Sequence, residues 1–424
     1  MAAYETYKDS GVKWLGTIPS HWEVDKIRYF FDEITELNLN RQSSNQLQFK
    51  FGTIIPKSDL SVDENVWQTI SKYTVVKSDD IIINGLNLNY DLLSHRVGRV
   101  RENGVITSAY VHIRPHEDIC AKYYEYLFKA MDARKVFHGF GTGVRATLSY
   151  KELRQKPIAI PPIAEQEAIV AYLDKATGEI DRAIEVQQQM IDALNERIQI
   201  IISRAVTKGL NLDAKIGKDG FPAHWEVFPL RYAMSIRNGY TPSKANPAFW
   251  ENGTIPWYRM EDIRKSGRML NEAIQCVTPK AVKSAGTFDA GSFILAICTA
   301  SIGEHAMLIA DSLANQRFAN LKIRKSLSAR INPMFMFYYM YVIGDFCRNN
   351  ANSTCFQYVD MSGLKRFPVP IPRHEEQEAI VDYLNTNTAG IKQQIANCQR
   401  MIDLLTERKQ IIINQVVTGK EKVI

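Results

Sequence analysis

The six-residue sequence EQEAIV occurs twice in the chain, at Glu165–Val170 and again at Glu376–Val381, 211 residues later. With that offset held, about half of the positions from 153 to 207 are identical to their partners. Two stretches this similar are expected to adopt the same local structure, so the sequence predicts one long element in two copies. This repeat decides the fold.

A second repeat lies upstream of each copy. The sequence PSHWEV at Pro19–Val24 recurs as PAHWEV at Pro222–Val227, with an offset of 203. Each EQEAIV copy also follows a proline-rich stretch, Pro157–Pro162 in the first and Pro368–Pro372 in the second. Proline favours extended backbone and cannot continue a helix, so these stretches predict an extended entry followed by a helix start.

The apolar positions after each entry are spaced alternately four and three residues apart. This is the seam of a coiled coil, sustained over about five heptads, and each helix would be roughly 65 Å long at 1.5 Å per residue. The predicted seam residues are Ile169, Leu173, Ile180, Ile184, Ile191, Leu194, Ile201, Ile380, Leu384, Ile391, Ile395, Ile402, Leu405 and Ile412. Two such seams most simply pack on each other; the alternative is that each helix packs separately on its own neighbouring module.

The segments between the repeats are rich in short β-branched runs broken by glycine, which predicts strands and turns. The sequence therefore predicts an α+β fold: two mixed, strand-rich modules separated by a long antiparallel two-helix coiled coil, with an internal pseudo-twofold repeat. The predicted boundaries are 1–155 for the first module, 156–214 for the first repeated helix, 215–365 for the second module and 366–424 for the second repeated helix.

Polar loops inside the modules are the candidate recognition sites. Asn pairs with adenine and Arg with guanine in the DNA major groove, and both side chains also bind phosphate, so this inventory suits nucleic-acid binding. The alternative is that Asn serves turns and Arg is a solvated charge. The candidates are Asn84, Asn87, Asn89, His95, Arg96, Arg99, Arg101 and Arg145 in the first module, and Arg237, Tyr240, Thr241, Lys244, Arg259, Ser301, Asn315, Gln316 and Arg317 in the second.

Composition excludes several classes of protein. The 424 residues are 45% hydrophobic and 23% charged, which is ordinary for a globular protein and excludes collagen or general disorder. The formal charge of +6 permits a nucleic-acid partner without requiring one. Six scattered cysteines without metal-site spacing, no signal-like N-terminus and no apolar run of membrane-spanning length predict a cytoplasmic protein without metal ligands or membrane contact.

Two short motifs resemble enzyme signatures but lack their context. Phe137–Gly141 has the FxGxG pattern of S-adenosylmethionine loops, yet a helical pattern precedes it where a strand is needed. Asn332–Phe335 resembles the NPP(Y/F) motif that holds a flipped adenine, but its second proline is missing. We therefore expect no active site, no bound cofactor and no catalytic residue in this chain.

Taken together, these features resemble the specificity (S) subunits of Type I restriction–modification systems. The resemblance spans nearly the whole chain, and the duplicated Pro…Glu-Gln entry into a long helix is its most specific part. The residues that carry it are Trp14–Pro19 with His21 and Trp22, Gly141–Gly143 leading to Pro161–Gln166, Asn238–Pro242, Ile255–Trp257, Ser301–Gly303, and Ile371 and Pro372 leading to Glu376 and Gln377. One departure is Asn352–Thr354, which stands where the first half has Gly-Thr-Gly.

The resemblance implies a non-catalytic DNA reader with two target-recognition domains, each reading one half of a bipartite double-stranded site. It further implies that the coiled coil sets the spacer and docks two methyltransferase (M) subunits, which bind S-adenosylmethionine and methylate adenine, and that restriction and translocation (R) subunits join them. The competing hypothesis is an interaction scaffold with two protein-binding modules and no role on DNA. An intrinsic methyltransferase or nuclease is a third, weaker hypothesis.

Overall fold

The structure, a computed structural model, describes residues 3–57, 64–89, 95–141, 146–211, 213–351 and 358–423. The chain divides into two compact units. The first unit comprises Met1–Gln188 together with Gln399–Ile424, and the second comprises Gln189–Cys398. Both divisions fall inside the long repeated helices, so each unit contains the beginning of one long helix and the end of the other.

The described residues form nine α-helices, two of them much longer than the rest. The helices are α1 (Glu64–Ile70), α2 (Ala121–Ala133), α3 (Tyr150–Leu153), α4 (Ile163–Lys208), α5 (Leu230–Ala233), α6 (Met260–Ser266), α7 (Pro333–Asn349), α8 (Met361–Arg366) and α9 (His374–Val417). Short 3-10 helices span Ile27–Tyr29, Val136–Gly139, Pro247–Phe249, Pro279–Ala281 and Thr299–Ser301. The 46 residues of α4 lie within the predicted segment 156–214, and the 44 of α9 lie within the predicted segment 366–424. Within the described ranges, no helix is long and apolar enough to cross a membrane.

The described residues of the first unit form twelve short strands. They are β1 (Tyr7–Asp9), β2 (Thr17–Pro19), β3 (Glu23–Lys26), β4 (Phe31–Glu33), β5 (Leu47–Lys50), β6 (Thr53–Pro56), β7 (Thr74–Val76), β8 (Ile81–Ile83), β9 (Val97–Arg99), β10 (Gly104–Ile106), β11 (Val111–Pro115) and β12 (Pro157–Ile160). The largest sheet is antiparallel with the order β4-β11-β8-β9, and β1-β2, β3-β12, β5-β6 and β7-β10 form two-stranded sheets. The antiparallel sheet packs against α2 through a core that includes Ile81, Phe31 and Phe128.

The second unit has a different sheet topology. Its strands are β13 (Glu226–Pro229), β14 (Met234–Asn238), β15 (Ile255–Tyr258), β16 (Met269–Leu270), β17 (Cys276–Val277), β18 (Phe293–Ala296), β19 (His305–Leu308), β20 (Leu313–Ala314), β21 (Phe318–Ile323) and β22 (Pro368–Ile371). A five-stranded sheet has the order β14-β21-β18-β19-β16, a three-stranded sheet has the order β17-β15-β20, and β13 pairs with β22. The β16–β19 and β15–β20 pairs are parallel. The mixed, strand-rich character predicted for the modules is therefore present in both units.

The two sequence repeats meet in one structural motif. In the first unit β3, from the HWEV repeat, pairs antiparallel with the proline-rich β12, and Glu23 lies opposite Ile160. In the second unit β13 pairs with β22 in the same register, and Glu226 lies opposite Ile371. Two repeats with unequal offsets thus form the same strand pair, which leads directly into the long helix.

Buried side chains at the start of each long helix fix this motif in place. Gln166 accepts a hydrogen bond from the backbone N–H of Cys120 (2.9 Å) and donates one to the Pro161 carbonyl (2.8 Å). In the second unit Gln377 accepts from the N–H of Asn332 (2.7 Å) and donates to the Pro372 carbonyl (2.8 Å). A buried amide that satisfies backbone groups of two elements ties them together.

The preceding glutamate binds the HWE motif. The Glu165 carboxylate accepts hydrogen bonds from His21 Nε2 (2.8 Å), from Trp22 Nε1 (3.0 Å) and from the Tyr4 hydroxyl. Burial is the largest cause that raises the pKa of the Tyr4 hydroxyl well above its usual value, and the hydrogen bond and charge of Glu165 raise it further. In the second unit Glu376 accepts from His224 Nε2 (2.9 Å).

The end of each long helix packs on the tryptophan of the same motif. In the first unit, Gly419 follows α9 with a φ of 68°, and a Cβ at this position would overlap Pro19 and lie 3.0 Å from Trp22. In the second unit, Gly209 follows α4 with a φ of 72°, and a Cβ there would lie 3.2 Å from Trp225. Glycine is the residue that adopts positive φ without strain and allows such an approach.

In each unit, the beginning of one long helix packs against the end of the other. Ile169, Leu173 and Ile180 share a core with Ile412 and Val416 in the first unit, so α4 and α9 run antiparallel there. The ion pair between Lys409 and Asp181 (2.6 Å) lies beside this core. In the second unit, Ile380, Leu384 and Ile391 share a core with Leu194 and Ile198.

Glu165 accepts hydrogen bonds from three side chains and Glu376 from one, so their removal should cost different amounts of stability. Glu165→Ala removes the acceptor from the buried Trp22 and Tyr4 donors, and we expect a loss of about 3 kcal/mol, because unpaired buried polar groups are costly. The matched variant Glu376→Ala loses one bond from a side chain that is 27% exposed, and should cost about 1 kcal/mol. Urea denaturation of both variants measures the difference; equal losses would contradict this assignment.

Candidate nucleic-acid interface

The arginine candidates of the first unit divide into supporting and exposed side chains. Arg96 is fully buried, and its Nη1 donates to the carbonyls of Asn84 (3.0 Å) and Leu86 (2.8 Å). Its backbone N–H donates to Asp132 Oδ2 (2.7 Å). Arg96 therefore fixes the backbone at Asn84 and Leu86, directly after β8.

Arg99 is committed to two carboxylates. Its Nε donates to Glu125 (3.0 Å) and its Nη1 to Asp79 (2.5 Å), while only 15% of the side chain is exposed. Although burial lowers the pKa of Arg99, the bonds and charges of Glu125 and Asp79 raise it above its usual value. Most of its positive charge is thus compensated inside the protein.

Other predicted contact residues of the first unit lie at the surface. Asn87 is exposed in the left-handed region with a φ of 53°, which asparagine tolerates better than most residues. Asn89, His95 and Arg101 are also exposed, and Asn84 is half-buried. Arg145 lies outside the described residues.

In the second unit, Arg237 and Tyr240 support loops. The Arg237 guanidinium donates to the carbonyls of Ala285 and Thr287 and lies 4.6 Å from the ring centroid of Phe288. The Tyr240 hydroxyl donates to the Ala281 carbonyl (3.0 Å). These contacts connect the end of β14 to the segment that precedes β18.

Three other predicted contact residues follow Tyr240 or lie in the turn between β20 and β21. Thr241 donates from its hydroxyl to the Gln316 side-chain oxygen, which couples two of the predicted contact residues. Gln316 and Lys244 are exposed.

Four predicted residues of the second unit line one cavity of about 290 Å³: Arg259, Ser301, Asn315 and Arg317. They come from four places in the chain: the residue before α6, the last 3-10 helix, and the two ends of the turn between β20 and β21. Asn315 Oδ1 accepts from the Arg317 backbone N–H (3.0 Å), which fixes that turn. The fold therefore brings together residues that are up to 58 positions apart.

The cavity carries a positive charge and an unused donor. Arg259 forms an ion pair with Glu261 (3.0 Å), but its buried Nε has no hydrogen-bond partner among the described residues. Arg264 also lines the cavity and was missed by the sequence interpretation. Arg259 precedes the first turn of α6 and Arg264 lies in its last turn, so their spacing in the sequence gave no signal that both line one cavity. Three guanidinium groups and an amide in a concave site suit phosphate oxygens or the edge of a guanine.

Both enzyme-like motifs have structural roles. Phe137–Gly141 begins in a 3-10 helix that follows α2, and Phe137 is fully buried. Asn332 caps α7 by accepting hydrogen bonds from the N–H groups of Met334 (2.8 Å) and Phe335 (3.4 Å), with Pro333 at the first helical position. Asparagine caps followed by proline are common helix starts. In the part of the chain that the structure describes, no group of three or more His, Cys, Asp or Glu side chains could hold a metal ion.

Comparisons with known proteins confirm the resemblance predicted from the sequence. Residues 222–397 match the family described as "Type I restriction modification DNA specificity domain". The specificity subunit of the Type I restriction enzyme EcoprrI of Escherichia coli is 41% identical over 160 residues, which cover 38% of this chain and 39% of that protein. The aligned part thus spans about two fifths of that relative's length.

Similarity also extends over the full chain. A putative specificity subunit of the Type I restriction enzyme MjaX of Methanocaldococcus jannaschii is 23% identical over 98% of both proteins. A solved structure from work on complex assembly and conformational transition of the Type I R-M system superposes with a TM-score of 0.63 at 14% identity, covering 94% of this chain and 98% of the other. At that identity, the superposition establishes a shared fold.

The different environments of the arginines give a binding prediction. Arg317→Ala removes a charge from the cavity, so duplex binding by the full chain at low salt should weaken and its salt dependence should fall by about one counterion. Arg237→Ala is the control, because its bonds to Ala285 and Thr287 predict a lower melting temperature with unchanged salt dependence. Equal effects of the two variants on the salt dependence would contradict the distinction.

Proposed function

We propose that this chain, with its specificity-domain match at residues 222–397, is the non-catalytic DNA sequence-specificity subunit of a cytoplasmic Type I restriction–modification complex. Residues 1–155 and 215–365 act as target-recognition domains, each reading one half of a bipartite double-stranded site. The observation that carries the proposal is the duplicated frame: one strand pair and one helix start occur twice, and each is attached to a module of different topology. A common frame with different modules suits one job performed on two different DNA sequences.

The long helices act as the spacer of the reader. We propose that α4 and α9 form one antiparallel coiled coil, comprising the repeated segments 156–214 and 366–424, with a target-recognition domain at each end. The mixed cores of seam residues in both units support this arrangement. Two readers on one face of DNA need half-sites about one helical turn apart, roughly 34 Å. The helix length, rather than any base contact, then sets the unread spacer.

Two exposed stripes on the long helices are the proposed docking sites for methyltransferase subunits. Each stripe has steps of three and four residues, and apolar side chains that are not needed for the seam. The stripes are Met190, Ala193, Arg197 and Ile200 on α4, and Met401, Leu404, Arg408 and Ile411 on α9. They match at the offset of 211, with three of four residues identical. A repeated apolar surface with a central arginine suits two copies of one protein partner.

The partners supply the chemistry. The M subunits bind S-adenosylmethionine and methylate adenine, and R subunits add restriction and translocation. This chain contributes no cofactor site and no catalytic group to the complex. A net charge of +6 is modest for full duplex binding, so much of the phosphate neutralisation falls to the partners.

Because the M subunits are proposed to share the phosphate contacts, the DNA affinity of this chain should depend on its assembly with them. The chain alone should bind duplex weakly, and affinity should rise by at least tenfold when M subunits join, because they add phosphate contacts. Fluorescence anisotropy of a labelled duplex, with and without M at one salt concentration, measures this. Tight, sequence-specific binding by the chain alone would contradict the shared interface. Absence of salt-dependent DNA binding by the assembled complex would favour the protein scaffold instead.

Substitutions in each stripe should release one M subunit from the complex. Met190→Asp with Ile200→Asp should remove one M subunit from a complex that holds two, because charged side chains replace the apolar contacts. Met401→Asp with Ile411→Asp should likewise remove one copy, and the four substitutions together should remove both.

Native mass spectrometry counts the copies. Ile274→Asp changes an exposed apolar residue outside the stripes and should leave both M subunits bound. Retention of both copies by the fourfold variant would place the docking surface elsewhere.

A further inference from the structure

A hairpin of the first unit presents an aromatic residue at its tip. Strands β5 and β6 are joined by Phe51 and Gly52, with φ values of 48° and 73°. Positive φ at both central residues is the pattern of a type I′ turn, which favours Asn-Gly and disfavours an aromatic at the first position. The Phe51 side chain is nevertheless 83% exposed. Phe51 thus carries backbone strain without any gain from burial, which marks a side chain kept for an external contact.

The hairpin beneath this tip is firmly held. Leu47 and Ile54 are buried in a core with Val76, Ile82, Val100 and Ile106. Phe49 packs at 5.8 Å from the ring of Tyr110. A Cβ on Gly52 would lie 2.8 Å from the Cβ of His95, so the turn rests directly on one of the DNA-contact residues predicted from the sequence. A rigid base can drive an exposed ring into a partner without losing its own order.

The charge of the hairpin segment itself favours a polyanion. From Leu37 to Lys57 the chain has three basic residues and no acidic one. Two of them, Lys50 and Lys57, flank the hairpin and are exposed. Gln48, Lys50, Thr53 and Ile55 occupy one face of it, because Gln48 lies opposite Ile55 and Lys50 opposite Thr53. A two-stranded ribbon with an exposed lysine beside its tip fits the DNA major groove.

We propose that Phe51 is a wedge that inserts between two adjacent base pairs in or beside the half-site read by the first target-recognition domain. The proposal rests on the proposed function and adds a residue that selects sequence by DNA deformability. Apolar wedges unstack a base step and kink the duplex, and pyrimidine–purine steps yield most easily. The wedge would therefore favour a flexible step at a position where no side chain reads a base edge.

The test uses the full chain assembled with its M subunits and the duplex that this wild-type complex methylates. Phe51→Asn is the main variant, because Asn-Gly is the preferred type I′ sequence and the hairpin should keep or gain stability. Phe51→Trp keeps an aromatic ring, and Leu39→Asn is the matched control at another exposed apolar residue of the same module. Duplex bending is read by energy transfer between end labels, affinity by anisotropy, and M content by native mass spectrometry.

We expect Phe51→Asn to straighten the duplex and to weaken binding about tenfold, as is typical for loss of one aromatic–base contact. Phe51→Trp and Leu39→Asn should bend and bind the duplex as the wild type does. Unchanged bending and affinity in Phe51→Asn would overturn the wedge. Loss of an M subunit from Phe51→Asn would overturn it in favour of a protein contact. A wild-type complex that binds no duplex would instead refute the proposed function, and the wedge with it.

Discussion

The buried glutamine at the start of each long helix is the interaction on which the rest of the structure depends. Gln166 and Gln377 are buried, and each joins a proline-rich strand to the module that precedes it through hydrogen bonds to backbone groups. Gln377 also donates to the Arg330 carbonyl (2.8 Å), which fixes the residues before α7. Because these bonds are to backbone atoms, module side chains can change freely while the attachment to the helix stays the same. That separation allows one frame to carry two modules of different topology.

The closure of each unit depends on the neighbouring glutamate and on the far end of the other long helix. Trp22 is fully buried between Glu165 and the chain after α9, and the Tyr123 hydroxyl donates to the Val417 carbonyl (2.9 Å). Each module is therefore stabilised by both helices, and a unit comprises more than a contiguous stretch of sequence. The boundaries predicted at 155, 214 and 365 describe the repeat pattern, whereas the compact units divide within the helices.

Much of the frame could be predicted from the sequence, because the residues that form it occur as two repeats in the chain. The heptad spacing indicated both long helices, α4 and α9, and proline marked the strands before them. The pairing of β3 with β12 was not predicted, since two repeats with different offsets give no sign that they touch. The eight-residue difference between the offsets lies in the modules, where sequence similarity is lost.

The candidate interface was harder to predict, because residue type does not reveal exposure. Arg96 and Arg317 are both arginines in polar stretches of the sequence. Arg96 is nevertheless fully buried, whereas Arg317 lines a cavity. Phe51 was missed, since an aromatic beside glycine in a strand pattern is ordinarily a core residue. Only the φ angles and the exposed ring distinguish it.

The central claim is that each module independently reads one half of a DNA site. It is tested most directly by sequencing the methylated adenines of a host that expresses this chain with its M subunit, before and after residues 1–155 are replaced by the first module of another specificity subunit. The account predicts a bipartite motif in which one half changes while the other half and the spacer stay the same. A motif that changes in both halves, or no methylation motif from the unaltered pair, would contradict it.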